Sequence, residues 1–247
     1  MQPSPLMLAM PVAAILLMAV SCSRSTEPTS TAGAPQAAND ASVFDFEHDD
    51  VGTAPRGFTA ALTGGGGPVR WQVQQAEDAA SGTGRVVAQL SDDRTNVRYP
   101  HLVREDFSAR DIDLSVRFKT VSGAVDASGG LVFRYQDRDN FYVVRANALE
   151  GNVVAYKTED GRRSNLGVKG QGDAYGVEVD VPHQRWNTLR VIATKHLFEI
   201  FLNGRKLFEV ENDTFAEAGK VGLWTKADAV TQFDDLTVMT LDPNEAP

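Results

Sequence analysis

The sequence predicts an all-β fold, a jelly-roll β-sandwich of two antiparallel sheets. From Val43 onward, apolar and polar side chains alternate with period two in short runs rich in β-branched and aromatic residues. Turn sequences containing Gly, Asn and Asp separate these runs, and no long run shows the helical period. Many short strands joined by tight turns are typical of sandwiches and jelly rolls.

The composition is that of an ordinary globular protein. The 247 residues are 42% hydrophobic and 23% charged, and 33 acidic against 24 basic residues give a net charge of −9. A chain this acidic is not expected to bind nucleic acid, because that binding relies on cations that neutralise phosphates. Cys22 is the only cysteine, so no disulfide can form within the chain.

The N-terminus has the pattern of an export signal. Residues 6–20 form an uncharged apolar run that is shorter than the about 20 residues of a transmembrane helix. The run suits the apolar core of a signal peptide over 1–21. Small residues before Cys22 resemble a bacterial lipoprotein signal, which implies lipidation of that cysteine and a membrane anchor on the periplasmic or surface side of the cell envelope. The alternative is a plain signal peptide with an incidental cysteine.

Residues 22–42 are predicted to form a disordered tether that leads to one folded domain at 43–241. From residue 23 the tether has no aromatic residue and no Val, Ile or Leu, so it cannot offset the entropic cost of ordering. No linker or repeat interrupts 43–241, and 242–247 is a short C-terminal tail. A tether behind a lipidated cysteine would hold the domain away from a membrane.

The predicted strands follow one another with turns between them. Asn203-Gly204 is the strongest turn signal, because this pair suits a type I′ hairpin between two strong strands. Further turns are predicted at 137–140, 150–152 and 160–161. The predicted strands are 43–47, 113–118, 131–135, 141–145, 153–157, 187–193, 197–202, 206–210, 219–224 and 233–238.

The order of strand and turn segments in three stretches resembles that of a known superfamily. These stretches are 130–161, 185–210 and 219–238. Their segments, including FRYQDRDNFYVVR and WNTLRVIATKHLFEIFLNGR, resemble the concanavalin A-like lectin/glucanase superfamily, and most of all its laminin G-like and 3-keto-disaccharide hydrolase domains. The resemblance implies a concanavalin A-like β-sandwich. It leaves the activity open, because this superfamily contains lectins, carbohydrate-binding modules, glycosidases and structural domains.

A hairpin over 130–147 is predicted to supply a ligand-binding face. In its simplest register Arg134 faces Val143, and Val132 faces Arg145. A one-residue bulge would move the residues of one arm to the opposite face. The more apolar face, which is predicted to be core, carries Leu131, Phe133, Tyr135, Tyr142 and Val144.

The other face of this hairpin combines two arginines with aromatic side chains. Guanidinium groups hydrogen-bond hydroxyls and carboxylates, and aromatic rings stack on sugar CH groups, so the set fits a carbohydrate ligand. The alternative is that the arginines are solvent-facing sheet residues paired with acids such as Asp137 or Glu159. The predicted ligand-binding residues are Arg134, Phe141, Arg145 and Tyr156, with Trp224 and Lys226 at the rim by resemblance.

Glu178 and Asp180 are the candidate pair of catalytic carboxylates. On a strand they would share one face about 7 Å apart, within the roughly 5–10 Å that glycosidases use. The pair resembles the Glu-x-Asp start of the family 16 glycoside hydrolase motif, but residues 181–183 supply no third acid. We therefore favour a domain without catalysis, and a hydrolase of glycosides or 3-keto-disaccharides is the alternative.

Glu47, Asp49 and Asp235 are candidate ligands of a structural Ca²⁺. First and last strands often pair in jelly rolls, and facing carboxylates repel each other without a hard cation. The resemblance to lectin-like sandwiches also implies such an ion, and turn-capping acids are the alternative. The four histidines lack the spacing of a zinc site and are predicted to lie on the surface or in loops.

The predicted function is recognition of a glycan or another cell-envelope ligand by an exported, membrane-anchored protein. A glycosidase-type hydrolase is one alternative, and a structural or protein-interaction module of the envelope is another. No nucleic acid is expected as a partner.

Overall fold

The computed structural model describes residues 41–81 and 84–242, and these form β-strands without any helix. In that part of the chain no helix is therefore long and apolar enough to cross a membrane. The predicted signal peptide, Cys22, the tether up to residue 40 and the tail from 243 lie outside the described residues. The strands are β1 (Ser42–Phe44), β2 (Phe58–Gly64), β3 (Trp71–Gln75), β4 (Arg85–Gln89), β5 (Arg98–Arg104), β6 (Ile112–Ser122), β7 (Ser128–Asp137), β8 (Asn140–Asn147), β9 (Asn152–Glu159), β10 (Arg162–Asn165), β11 (Val177–Glu178), β12 (Asn187–Thr194), β13 (Leu197–Leu202), β14 (Arg205–Glu211), β15 (Lys220–Trp224) and β16 (Val230–Thr240).

The strands form two antiparallel sheets, which confirms the predicted β-sandwich. The first sheet has the order β14-β13-β12-β6-β16-β4-β3, and β1 also pairs with β16. The second sheet has the order β10-β9-β8-β7-β15-β5-β2, and β11 also pairs with β9. The predicted pairing of the first and last strands is present, with Phe44 opposite Leu236.

The core between the sheets follows from period-two alternation. In β6, Ile112, Leu114, Val116 and Phe118 are fully buried, and the residues between them are half-buried. β12 repeats this pattern. Each large apolar side chain buried in this way contributes roughly 1.5–3 kcal/mol to folding.

The second sheet is apolar on both faces. β8 and β9 are buried at almost every position, so their sequences read as continuous rather than alternating apolar runs. The face turned away from the core, called here the outer face, holds its own cluster, separate from the core. This outer cluster consists of Tyr99, Val132, Phe141, Val143, Val154, Tyr156 and Trp224.

The β7–β8 hairpin departs from the predicted register. Val132 faces Val143 rather than Arg145, and Arg145 faces Gly130. The prediction assumed regular pairing from the turn onward. The predicted register is therefore wrong by two residues between this part of β7 and β8.

A bulge in β7 causes the shift. Regular pairing stops after Phe133 and resumes only where Asp137 faces Asn140. Arg134, within the bulge, has a left-handed backbone with φ 47°. Phe133 consequently faces the core as predicted, whereas Tyr135 packs against the outer cluster instead.

The Asn203-Gly204 hairpin is confirmed. These residues join β13 to β14, with Leu202 opposite Arg205. Asn203 has φ 50° and Gly204 has φ 79°, as a type I′ turn requires.

By contrast, the sequence did not predict β2, β3, β4, β5, β10 and β11. The Ala, Thr, Gln and Arg residues of β2, β3 and β10 weaken their apolar alternation.

Candidate functional site

The outer face brings together four of the predicted ligand-binding residues. Phe141, Tyr156 and Trp224 belong to the outer cluster. Arg145 lies on the same face of β8, two residues beyond Val143. All four are buried to 98% or more, so the prediction that they face solvent is wrong.

Arg134 does not belong to this face, which corrects the prediction. The bulge turns its side chain toward loops at the end of the sandwich, where it is fully buried. It donates from Nε to the carbonyl of Arg110 at 3.0 Å and from Nη1 to that of Phe215 at 3.1 Å. Its guanidinium also lies 3.5 Å from the Asp111 carboxylate. Arg134 therefore ties loops together and does not reach the outer face.

A second arginine, which the sequence did not single out, lies over the outer cluster. The Arg163 guanidinium is 4.5 Å from the ring centroid of Tyr99, 4.3 Å from that of Tyr156 and 5.7 Å from that of Trp224. Tyr99 and Trp224 stack on each other with centroids 5.7 Å apart. Cation–π attraction of this kind favours a guanidinium at a desolvated position. β10 supplies this arginine because its pairing with β9 sets Arg163 opposite Thr158.

Arg145 is the centre of a hydrogen-bond network. Its Nη2 donates to Glu150 at 2.6 Å, to the Tyr156 hydroxyl at 3.0 Å and to the Tyr175 hydroxyl at 3.2 Å. Its Nη1 donates to the Asn152 amide oxygen at 2.5 Å. Burial opposes ionisation of Glu150, but the charge of Arg145 outweighs it and lowers the pKa of Glu150. The pair is therefore ionised and fixes the Arg145 side chain.

Asp126 and Lys226 form a buried ion pair beside this network. Asp126 Oδ2 lies 3.3 Å from Lys226 Nζ and accepts a hydrogen bond from Asn147 at 3.1 Å. Burial raises the pKa of Asp126 despite this cation. Lys226, a predicted ligand-binding residue, is thus linked to this site through Asp126, which the sequence analysis did not identify.

Asp228 positions the loop that carries Asp126. Its carboxylate accepts backbone N–H groups from Ala124 at 2.9 Å, from Val125 at 3.0 Å and from Asp126 at 3.0 Å. Burial opposes the charge, but these donors lower the pKa of Asp228. The charged carboxylate therefore holds the 123–126 loop against the loop that contains Lys226.

Several buried polar atoms of this region have no hydrogen-bond partner. They include Nε of Arg145, Nη1 of Arg163, Nε1 of Trp224 and Oδ1 of Asp126. Native proteins satisfy the great majority of buried polar atoms. Three unused donors and one unused acceptor in one neighbourhood are what a hydroxylated ligand would satisfy.

His101 also lies on the outer face, which corrects its predicted surface position. It is fully buried in β5, with Nδ1 at 3.1 Å from the Tyr99 carbonyl. Its ring packs against Tyr135 and Phe141 at 5.4 and 5.2 Å between centroids. Desolvation lowers the pKa of His101 to about 4, so the ring is neutral near pH 7.

The candidate catalytic acids are exposed, unlike this buried set. Glu178 is exposed on β11, where its backbone pairs with Asn152, and Asp180 is exposed just beyond the strand. Neither side chain shares the desolvated surroundings of Asp126.

The predicted calcium ligands do not converge. Within 41–81 and 84–242, no three His, Cys, Asp or Glu side chains are grouped so that they could hold a metal ion. Glu47 accepts hydrogen bonds from Ser81 and from the Arg85 backbone, whereas Asp49 pairs with Arg56 at 2.8 Å. Burial raises the pKa of the third candidate, Asp235, and the charge of Arg117 offsets this only in part.

Solved structures share this fold. The carbohydrate-binding module CBM66 from Bacillus subtilis is 20% identical with a TM-score of 0.57, over 74% of this chain and 96% of that one. The cellulose induced protein Cip1 is 12% identical with a TM-score of 0.54, over 74% and 91%. A sialidase is 9% identical with a TM-score of 0.55, over 83% of this chain but only 19% of the sialidase.

Comparison of sequences gives the family. No curated protein sequence matches the chain. The sequence profile of the 3-keto-alpha-glucoside-1,2-lyase-like domain matches residues 61–239, nearly all of the folded part. The chain therefore belongs to the family of 3-keto-alpha-glucoside-1,2-lyase-like domains.

Proposed function

We propose that the outer face of the second sheet binds a carbohydrate. The observation that carries this proposal is the group of unpartnered buried polar atoms on Arg145, Arg163, Trp224 and Asp126. Sugar hydroxyls donate and accept hydrogen bonds, so one saccharide can satisfy both kinds of atom. The name of CBM66, a carbohydrate-binding module of the same fold, supports this proposal.

The arrangement is suited to recognition because its side chains are held before a ligand arrives. Arg145 is fixed by Glu150 and Asn152, and the Tyr156 and Tyr175 hydroxyls lie within hydrogen-bond distance of each other. Side chains that are already immobile lose little entropy on binding. Nε of Arg145, which this network leaves without a hydrogen-bond partner, is then the donor that we assign to the ligand.

Titration calorimetry of the full chain against plant and bacterial glycans tests this proposal. The detergent that keeps the full chain in solution should have no sugar headgroup, because such a headgroup would compete with the glycans for the site. We expect saturable binding that Arg163→Ala weakens and Arg162→Ala does not, because Arg162 is the exposed neighbour on the same strand. Failure of every glycan to bind the folded protein contradicts the proposal.

Elimination from a 3-keto sugar is a second candidate, favoured by Asp126. Its carboxylate is buried, and burial raises its pKa although the Ser128 hydroxyl and the charge of Lys226 lower it in part, which makes it a stronger base than an exposed carboxylate. In this reaction Asp126 accepts the proton of C2, which the adjacent C3 ketone acidifies. The electron pair forms the C1=C2 bond, the glycosidic C1–O bond breaks, and Lys226 gives a proton to the departing oxygen.

A 3-keto-glucoside separates the two candidates. If the protein is a lyase, ultraviolet absorbance of the conjugated enone rises with turnover, and Asp126→Asn abolishes the rise even at a concentration of the 3-keto-glucoside that saturates the variant. If the 3-keto-glucoside binds without turnover, the lyase candidate is wrong and recognition alone remains. Exposed Glu178 and Asp180 provide the control, since their Gln and Asn variants leave either activity unchanged on this proposal.

We also propose that the protein is exported and anchored to the envelope through lipid on Cys22, as the apolar run before this cysteine indicates. Growth with a labelled fatty acid tests this. We expect label in the wild-type protein and none in Cys22→Ala, which should leave the membrane fraction. Equal membrane retention of both proteins contradicts the anchor.

A further inference from the structure

We infer that the ligand carries a carboxylate and that Arg163 binds it, so that the outer face selects an acidic sugar such as a uronic acid. This inference rests on the proposed carbohydrate site and assigns the chemical class of its ligand.

Arg163 is a cation without an acidic partner. Among the described residues, no Asp or Glu carboxylate lies within the 4.0 Å ion-pair distance of its guanidinium. Its contacts are instead the rings of Tyr99, Tyr156 and Trp224. Glu159, close in sequence, pairs with Lys157 at 2.8 Å.

Nη1 of Arg163 is the donor that we assign to the carboxylate. Nη1 is buried and has no hydrogen-bond partner. Stacking on aromatic rings uses the flat faces of a guanidinium, so the N–H groups along its edge stay free to donate. The planar fork of these groups matches a carboxylate, and such charge-assisted bonds are about twice as strong as neutral ones.

The neighbouring cations, unlike Arg163, each have an acidic partner. Glu150 neutralises Arg145 at 2.6 Å, and Asp126 neutralises Lys226 at 3.3 Å. Arg163 is therefore the charge that this group leaves uncompensated, in a protein whose net charge of −9 would otherwise repel an acidic glycan. The adjacent free donors on Arg145 and Trp224 suit the hydroxyls of the same sugar.

Matched pairs of oligosaccharides test the inference. The probes are tetrasaccharides of galacturonic, glucuronic and mannuronic acid, each compared with its methyl ester, by calorimetry on the full chain. We expect at least one acid to bind roughly tenfold to hundredfold more tightly than its ester, the range for a lost hydrogen bond to a charged group. We also expect this difference to shrink with added salt.

Variants assign the effect to Arg163. Arg163→Gln should lower affinity for the acid more than affinity for the ester, so that the acid-to-ester ratio falls close to one. Arg162→Gln, with the same loss of charge on the same strand, should leave the acid-to-ester ratio unchanged. Circular dichroism verifies that both variants are folded.

Each contrary result has a distinct meaning. Equal binding of acids and esters overturns the carboxylate inference but leaves the carbohydrate site intact. Preference for a sulfated oligosaccharide over every uronate likewise overturns it. Absence of binding by both series, with neutral glycans also failing, overturns the proposed function itself.

Discussion

The Asp228 carboxylate accepts the backbone N–H of Asp126 at 3.0 Å, so one acid holds another in place. Asp228 also lies two residues after Lys226, the cation that pairs with Asp126. The same short loop therefore supplies both the charge partner of Asp126 and the group that shapes its backbone. A disturbance of Asp228 should reach the outer face without any contact between Asp228 and a ligand.

Asp228→Asn should destabilise the domain and weaken ligand binding together. The variant loses a charged acceptor of three backbone bonds, which we expect to lower the free energy of unfolding by about 1–3 kcal/mol. Urea denaturation measures this loss, with Asp92→Asn as the control at an exposed position. Full stability of Asp228→Asn would show that the loop keeps its shape without the charge.

The stabilisation by Asp228 should also depend on pH. Because folding lowers the pKa of this carboxyl, its contribution is present above the unfolded pKa of about 3.9 and is lost as pH falls through the folded value. The difference in stability between wild type and Asp228→Asn should thus shrink in acid. A difference that stays constant down to pH 2 contradicts this.

His101→Phe should remove part of the acid sensitivity of the fold. Burial lowers the pKa of His101 from 6.5 to about 4, so the unfolded chain binds a proton that the folded chain rejects in this range. Stability is therefore complete above pH 6.5 and falls toward pH 4, by on the order of 3 kcal/mol for this group.

Urea midpoints at pH 7.5 and 4.5 measure the effect. Phe fits a site already lined by Tyr135 and Phe141, so we expect the variant to fold. Carboxylates titrate in both proteins and contribute equally to their loss of stability in acid. The contribution of His101 is therefore the difference between the losses of stability of wild type and variant. Equal loss of stability in wild type and variant would show that the ring is protonated in the folded state.

Arg134→Gln should lower stability without changing affinity for sugar. The substitution removes the partner of buried Asp111 and leaves carbonyl groups such as that of Phe215 without a donor. We expect a loss of about 3–5 kcal/mol in the free energy of unfolding, as for removal of one member of a buried ion pair. Arg138→Gln, at the exposed hairpin turn, is the control.

Calorimetry on Arg134→Gln then decides between the two positions proposed for this residue. Unchanged affinity at reduced stability fits a side chain that ties loops together. A selective loss of affinity in a stable protein would return Arg134 to the ligand-binding set.

Local signals predicted those parts of the fold that depend on neighbours in sequence. The Asn203-Gly204 turn and the alternation of β6 and β12 were correct because period two and positive φ are properties of short segments. The predicted face of Phe141, Arg145 and Tyr156 was also correct as a grouping, since β8 and β9 pair without a bulge. The bulge at Arg134 was missed because nothing in that stretch marks where pairing is interrupted.

The sequence by itself determined the class of fold, the family and which residues of β8 and β9 share a face, because alternation and turn chemistry are encoded locally. Only the tertiary structure decided that this face is buried and that Arg163 stacks on Tyr99 and Trp224. It also decided that Asp126 meets Lys226. These residues are about 60–100 positions apart in the chain, and only the pairing of strands that are distant in sequence brings such residues together. Desolvation and charge pairing depend on these long-range contacts, so no local pattern in the sequence could predict the chemistry of the site.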